Sequence, residues 1–153
     1  MSEIPDMLLE GMNGSLRLRL LRYEFPEIKD DKWDSNWLVV FGEGHIDGRR
    51  WRFESPCLST AEVGALADWL HKVANGEEVG EIGFMEPHLE FDLIGSSHVR
   101  VSFALEAAPT WVDRYDLDNR TGFDVTIGAH LAKAAADLRS QFEAFPVRGM
   151  EER

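Results

Sequence analysis

Residue types that perform most enzyme chemistry occur in this chain of 153 residues, but they form no known catalytic pattern. The five histidines lack the spacing of a metal site or a catalytic cluster, and they stand at His45, His71, His88, His98 and His130. No Walker A, His-Glu-x-x-His, Cys-x-x-Cys or Gly-x-Ser-x-Gly sequence occurs. The sequence therefore predicts no catalytic residue, no cofactor-binding site and no metal site.

One cysteine could still act as a nucleophile. Cys57 follows Pro56 just before a predicted helix, where the helix dipole can lower the pKa of a thiol. Its apolar neighbours Phe53 and Leu58 instead favour a buried, inert thiol. The sequence leaves both interpretations open and favours the second.

Two other patterns do not match the sites that they suggest. Asp113, Asp116 and Asp118 lack the regular ligand spacing and the early glycine of a calcium loop. Gly42-Glu43-Gly44 follows a predicted strand, as a dinucleotide-binding loop would, but the chain then continues as another strand at Trp51–Phe53. Neither segment is predicted to bind a cofactor or a metal.

The charge balance restricts the kind of partner. With 28 acidic and 16 basic residues, the formal net charge is −12. Such a field repels phosphate backbones and anionic lipid surfaces, so neither nucleic acid nor membrane is expected as a ligand. The same field steers a basic protein toward the chain. Acidity that serves only solubility is the alternative.

The single cysteine excludes an internal disulfide and fits a reducing compartment, so a cytoplasmic location is expected. The first ten residues include Glu3 and Asp6 and lack the basic and apolar regions of a signal peptide. No apolar run approaches membrane-spanning length. Length and composition predict a single domain over residues 1–153, with flexible ends at 1–14 and 149–153.

Hydrophobic periodicity predicts strands joined by hairpins, with two helices. Asp47-Gly48 is typical of a two-residue hairpin turn, and Ser59 with Glu62 forms a capping box that begins the first helix. A second hairpin turns at Gly95-Ser96-Ser97, and a final helix ends at Pro146. This order predicts an α+β fold, with an antiparallel sheet of about six strands and two helices packed on one face. The other face of the sheet should be exposed to solvent and should carry cross-strand charge pairs.

Three polar loops are predicted on this body, at Glu24–Asn36, Gly76–Gly80 and Pro109–Gly122. Trp51 and Trp69 are assigned to the core, whereas Trp33 lies in a polar loop and could anchor a partner. Acidic residues around Trp33 and in the last loop could pair with basic groups. The candidate partner-binding residues are Glu27, Asp30, Asp31, Trp33, Asp34, Asp113, Asp116 and Asp118.

Three segments also carry a resemblance to a known family. They are Asp34-Ser35-Asn36-Trp37-Leu38, then Pro56-Cys57-Leu58 leading to Glu62, Leu66 and Trp69-Leu70, then Glu86-Pro87 with Leu89 and Phe91. In order and spacing they resemble the WapI-like immunity proteins, with a fainter match at Phe145-Pro146 and Arg148. His88 stands where the family pattern has asparagine, and Ala107–Gly122 matches nothing in it. The resemblance implies a small cytosolic protein of a bacterial toxin and immunity system that neutralises a delivered toxin domain by direct binding. For the founding member, the implied target is a tRNA-cleaving toxin.

Three hypotheses of function follow. The first is an immunity protein whose acidic loops cover the basic active site of a toxin, such as a nuclease. The second is an enzyme that uses a carboxylate pair together with His88 or His98. The third is a small-ligand-binding or homo-oligomeric scaffold without catalytic activity. An enzyme should bring titratable groups with displaced pKa values into one pocket, whereas a binding protein should present an open acidic surface.

Overall fold

The first four strands form an antiparallel sheet in the computed structural model, which describes residues 3–149 of the chain. They pair in chain order as β1 (Met7–Glu10), β2 (Gly14–Tyr23), β3 (Trp37–Ile46) and β4 (Arg49–Ser59). The turn between β3 and β4 holds Asp47 at φ 52° and Gly48 at φ 83°. Both central residues therefore adopt the positive φ that a two-residue Asp-Gly turn requires, and the predicted hairpin is confirmed.

Strand β1 lies inside residues 1–14, the segment for which the sequence predicts flexibility. It pairs with β2 along its length, and Met7 and Leu9 are fully buried. The sequence pattern missed this strand because Met7-Leu8-Leu9 is uniformly apolar and shows no alternation. The ordered sheet therefore begins at Met7, whereas residues 150–153 of the predicted flexible C-terminal end lie outside the described residues.

Helix α1 (Thr60–Ala74) begins with the predicted capping box. The Ser59 hydroxyl accepts a hydrogen bond from the backbone N–H of Glu62, and the Glu62 carboxylate accepts one from the backbone N–H of Ser59. Gly76, at φ 74°, follows the end of this helix, as its sequence position predicted. Helix α2 (Ala129–Glu143) packs along α1 and against β1.

The remaining strands form a second antiparallel sheet. They are β5 (Leu89–Ile94), β6 (His98–Phe103) and β7 (Thr121–Thr126), in the order β5-β6-β7. The α+β class is confirmed, but the strands divide into sheets of four and three instead of forming the one sheet expected. Alternation fixes the faces of each strand but does not say which hairpins join edge to edge, so the sequence could not separate the sheets.

The two sheets and both helices enclose one hydrophobic core. On β3, Gly42 and Gly44 leave room for the rings of Phe53 and Trp51, which a Cβ atom at either glycine would strike. Trp51 extends the core to the second sheet through an edge-to-face contact with Phe103, with ring centroids 5.1 Å apart. The Gly-x-Gly pattern is therefore a packing feature of a strand.

The outer face of the four-stranded sheet carries ion pairs, as its alternating pattern predicts. Arg19 Nε lies 2.7 Å from Asp6 Oδ1, and Arg52 Nε lies 3.4 Å from Glu43 Oε2. Because arginines and acids offset each other here, this face contributes little to the negative charge of the protein.

Candidate protein-interaction site

The predicted partner-binding residues lie at opposite ends of β3. Glu27, Asp30, Asp31, Trp33 and Asp34 belong to the loop over residues 24–36, which precedes Trp37 at the start of that strand. Asp113, Asp116 and Asp118 belong to the loop over residues 109–122, and the first two line a recess with Ile46 and Asp47 at its far end. Ten residues of strand at about 3.3 Å each separate the two ends by about 30 Å. The candidates therefore form two distinct surfaces.

Asp31 shapes the 24–36 loop from within. Its Oδ1 accepts hydrogen bonds from the backbone N–H groups of Trp33, at 2.8 Å, and Asp34, at 2.9 Å. These two backbone hydrogen bonds lower the pKa of Asp31. The Ser35 hydroxyl accepts the backbone N–H of Asp31 at 2.9 Å. These bonds close a short 3-10 turn and fix the position of Trp33.

Arg148 holds the same loop against the C-terminal segment. Its guanidinium donates to the backbone carbonyls of Ser35, at 2.9 Å, and Phe25, at 3.2 Å. It also lies 3.6 Å from the centroid of the Tyr23 ring. The Asn36 side chain donates to the backbone carbonyl of Arg148 and accepts its N–H, at 2.8 and 2.7 Å. The loop is therefore tied down at several points before any partner arrives.

A groove opens beside Trp33, and we call it the Trp33 groove. Trp33 is 57% exposed, and Met85 and Val147, which are 60% and 37% exposed, line the groove with it. Trp37 and Ala61 contribute further apolar surface. Three segments that are distant in sequence thus bring exposed apolar side chains together.

Glu62 connects α1 to the wall of this groove. One of its carboxylate oxygens takes part in the capping box, and the other accepts the backbone N–H of Met85 at 2.7 Å. Met85 lies in the link between α1 and β5, which has no regular structure. The residue that caps the helix therefore also fixes an exposed side chain of the groove.

Like charges are crowded around the 24–36 loop. Burial raises the pKa of Glu24, and the nearby negative charge of Asp34 raises it further. Lys32 is a basic group in the loop, and its Nζ lies 5.1 Å from the centroid of the Trp33 ring. Glu27, Asp30 and Asp34 are exposed at the surface. A basic partner would relieve this repulsion.

The 109–122 loop is also ordered, but its aromatic residues serve different purposes. Trp111 stacks against the guanidinium of Arg49, 4.0 Å from the ring centroid, and packs edge-to-face on Trp51. Tyr115 is 75% exposed and Leu117 is 44% exposed. The acidic side chains here mainly turn their own backbone, since Asp113 accepts the N–H of Tyr115 and Asp116 accepts that of Asp118.

The titratable groups whose pKa values are displaced do not converge on a cavity. Within residues 3–149, the groups with displaced pKa values line none of five surface cavities; they are Arg19, Tyr23, Glu24, Asp31, Cys57 and Glu106. Burial raises the pKa of Cys57 to about 12, so its thiol is protonated at neutral pH. Over the same span, no group of three or more His, Cys, Asp or Glu side chains is placed to hold a metal ion.

The two histidines that an enzyme could use have separate local partners. His88 is buried, and its Nε2 lies 2.7 Å from Glu106 Oε1. His98 lies at the start of β6, with its Nδ1 2.7 Å from the hydroxyl of Ser97.

In the described part of the chain, no helix is both long and apolar enough to cross a membrane.

Sequence reasoning predicted an exposed Trp33 among acidic residues, but it did not indicate that Arg148, Glu62 and Met85 contact or support this region. Arg148 acts on residues more than a hundred positions earlier, at Ser35 and Phe25, and no local pattern signals such a contact. The capping box did identify Glu62, but only as a helix cap.

The chain was also compared with known proteins. The family model described as the immunity protein WapI-like family matches residues 7–146. This range begins at β1 and ends just before Val147 and Arg148, so it contains most of the Trp33 groove. No curated protein and no solved structure matches the chain.

Proposed function

The chain belongs to the WapI-like immunity protein family, and on that premise we propose that it binds a cognate toxin domain and neutralises it by direct protein contact. The observation that carries the contact site is the exposed Trp33, held by hydrogen bonds beside an apolar groove and among acidic residues. Protein interfaces combine such an apolar centre with a polar rim. The protein performs no reaction of its own in this proposal.

Charge supports a basic partner. The net charge of −12 attracts positively charged surfaces and raises association rates at low salt. A nuclease toxin fits this requirement because an active site that binds phosphate backbones is itself basic. Covering that active site would exclude its nucleic acid substrate.

The 24–36 loop is the proposed contact surface. Trp33 acts as the anchor, while Glu27, Asp30 and Asp34 act as charge partners at its rim. Asp31 has a positioning role, since its carboxylate already accepts two backbone hydrogen bonds. A loop that is ordered in advance loses less conformational entropy on binding.

A charge-matched pair of variants tests the proposal. Wild-type protein is first used to capture the toxin from the native cell lysate, and mass spectrometry identifies it. Replacing Asp30, Asp31 and Asp34 together with Asn should then slow association and flatten the salt dependence of the affinity. Asparagine at position 31 keeps a side-chain oxygen that can accept the loop hydrogen bonds.

The control variant replaces Asp113, Asp116 and Asp118 with Asn, which changes the net charge by the same amount at the other end of β3. We expect this variant to keep the wild-type salt dependence apart from the small general effect of net charge. Equal effects of the two triple variants would contradict the site assignment. Failure of the wild-type protein to neutralise or bind any toxin domain would contradict the function itself.

A further inference from the structure

We propose that the Trp33 groove receives one apolar side chain from a basic segment of the partner protein. This inference rests on the proposed function and specifies the chemistry of the partner. It assigns a role to Met85, Val147 and Ala61, none of which the sequence indicated.

The first argument is the convergence of exposed apolar groups. Trp33 comes from the 24–36 loop, Met85 from the link before β5, and Val147 from the C-terminal segment, and all three line one groove. Single exposed hydrophobic residues are ordinary on a protein surface, whereas these three line one recess whose surface is mostly apolar. Water is displaced from all three side chains when one partner group enters.

The second argument is that hydrogen bonds hold each wall of the groove. Asp31 fixes the backbone at Trp33, Glu62 fixes the backbone at Met85, and Asn36 fixes the backbone next to Val147. A surface of this kind is available without rearrangement, so the partner group meets a formed recess.

The third argument is size. The groove has a volume of about 170 Å³, whereas pockets for drug-sized ligands or cofactors enclose about 300–1,000 Å³. A single aliphatic side chain suits this volume better than a cofactor does.

The fourth argument is charge complementarity. Asp34 follows Trp33 in the loop, Asp30 lies three positions before it, and Glu86 follows Met85 in the chain. Lys32 already lies over the Trp33 ring, so additional cations are expected at the acidic rim and not on that ring face. The occupant is therefore an apolar residue with lysine or arginine on both sides.

Short peptides test the inference without the toxin. The probe is the peptide Lys-Arg-Leu-Lys-Arg, and the two comparison peptides carry Ser in place of Leu or Glu in place of every basic residue. Binding is followed by nuclear magnetic resonance of the Trp33 indole and the Met85 methyl group. We expect saturable shifts with the first peptide and at least about tenfold weaker binding of the other two.

A matched pair of helix variants locates the binding. Ala61→Leu places bulk in the groove, whereas Ala65→Leu makes the same exchange one turn further along α1, outside the groove lining. Both keep a good helix former, so the helix should remain intact. Ala61→Leu should weaken binding of the leucine peptide about fivefold or more, and Ala65→Leu should leave it unchanged.

The outcomes separate this inference from the proposed function. Absence of shifts at millimolar peptide, equal binding of the serine peptide, or equal effects of the two helix variants would each overturn the groove assignment. If Ala61→Leu protein nevertheless neutralised the captured toxin as well as wild type, the immunity function would stand without the groove. If the peptides bound as expected and wild type neutralised no toxin, the groove would stand without the immunity function.

Discussion

The 24–36 loop and the 109–122 loop contain the same types of residue but arrange them differently. Both present exposed aromatic residues among aspartates, and both use aspartate side chains to turn the backbone. In the first loop, Trp33 joins apolar side chains from two other segments in one groove. In the second, Trp111 packs on Trp51 as well as on Arg49, and the nearby recess that includes Asp113 and Asp116 is lined mainly by polar and charged groups. An exposed aromatic residue among acids is therefore a weaker indication of binding than convergence on a shared groove.

The largest expected difference between the loops is in affinity for the toxin. Trp33→Ala should weaken binding by about 2 kcal/mol or more, which is about 30-fold, because it removes the anchor of the groove. Tyr115→Ala, at the more exposed aromatic residue, should change affinity by less than about 0.5 kcal/mol. Isothermal titration calorimetry with the captured toxin domain measures both. Comparable losses of affinity in the two variants would contradict the assignment of the contact site to the 24–36 loop.

Arg148 provides the next test because it holds the 24–36 loop in place but is not itself one of the proposed contact residues. Arg148→Ala removes the guanidinium donor from the Ser35 carbonyl and one of two donors from the Phe25 carbonyl, which also accepts the backbone N–H of Ile28, and should lower the free energy of unfolding by about 2 kcal/mol. It should also weaken toxin binding, since Trp33 loses its fixed position. Arg148→Lys should recover only part of the loss because an ammonium group lacks the fork geometry of guanidinium.

The corresponding anchor of the other loop is Arg114, whose Nε donates to the Leu105 carbonyl at 2.7 Å. Arg114→Ala should also lower stability in urea denaturation but should leave the affinity for toxin unchanged. A loss of affinity with Arg114→Ala and none with Arg148→Ala would reverse the assignment of the two loops.

Asp31 should have a smaller effect that depends on the replacement. Asp31→Ala removes the acceptor for two backbone N–H groups and should lower the stability of the fold, whereas Asp31→Asn should retain most of that stability. Thermal unfolding of the two variants checks this difference. Because the pKa of Asp31 is lowered in the folded protein, its contribution is present above its unfolded pKa and is lost as pH falls through its folded pKa.

The smallest expected effect is on the pH dependence at Glu24. Its pKa is raised by burial and by Asp34, so its contribution to stability falls as pH rises from the unfolded pKa through the folded pKa. A basic partner favours the ionised form, and toxin affinity should therefore rise as pH rises from the unfolded pKa of Glu24 through its folded pKa. Glu24→Gln should flatten that rise.

Near the other end of the molecule, Glu106 should behave in the opposite way. A backbone hydrogen bond and the contact with His88 lower its pKa, so it stabilises the fold above its unfolded pKa. Glu106→Gln should change the pH dependence of unfolding but not that of toxin binding. If Glu24→Gln and Glu106→Gln changed the pH dependence of toxin affinity equally, that pH dependence would report only the stability of the fold.

The parts of the fold that sequence could predict are those set by short-range interactions. The Asp47-Gly48 hairpin depends on the φ angles of two adjacent residues, and the start of α1 depends on Ser59 and Glu62, three positions apart. Strand β1 escaped prediction because its burial depends on docking beneath α2, which local alternation does not reveal.

The candidate site follows the same division. The polar surroundings of Trp33 signalled its exposure, since they belong to its own loop. Met85, Val147 and Arg148 become neighbours of that loop only through the fold, across separations of about fifty residues or more. Sequence therefore predicted the exposure of Trp33 but could not predict the groove around it.

Oxidative footprinting with and without the captured toxin domain tests the central claim most directly, because exposed methionine and aromatic side chains report their own protection. Trp33 and Met85 should become protected when the complex forms. In the same complex, Tyr115 and Trp111 should be as reactive as they are in the free protein. Protection of Tyr115 and Trp111, with Trp33 and Met85 as reactive as before, would contradict the account.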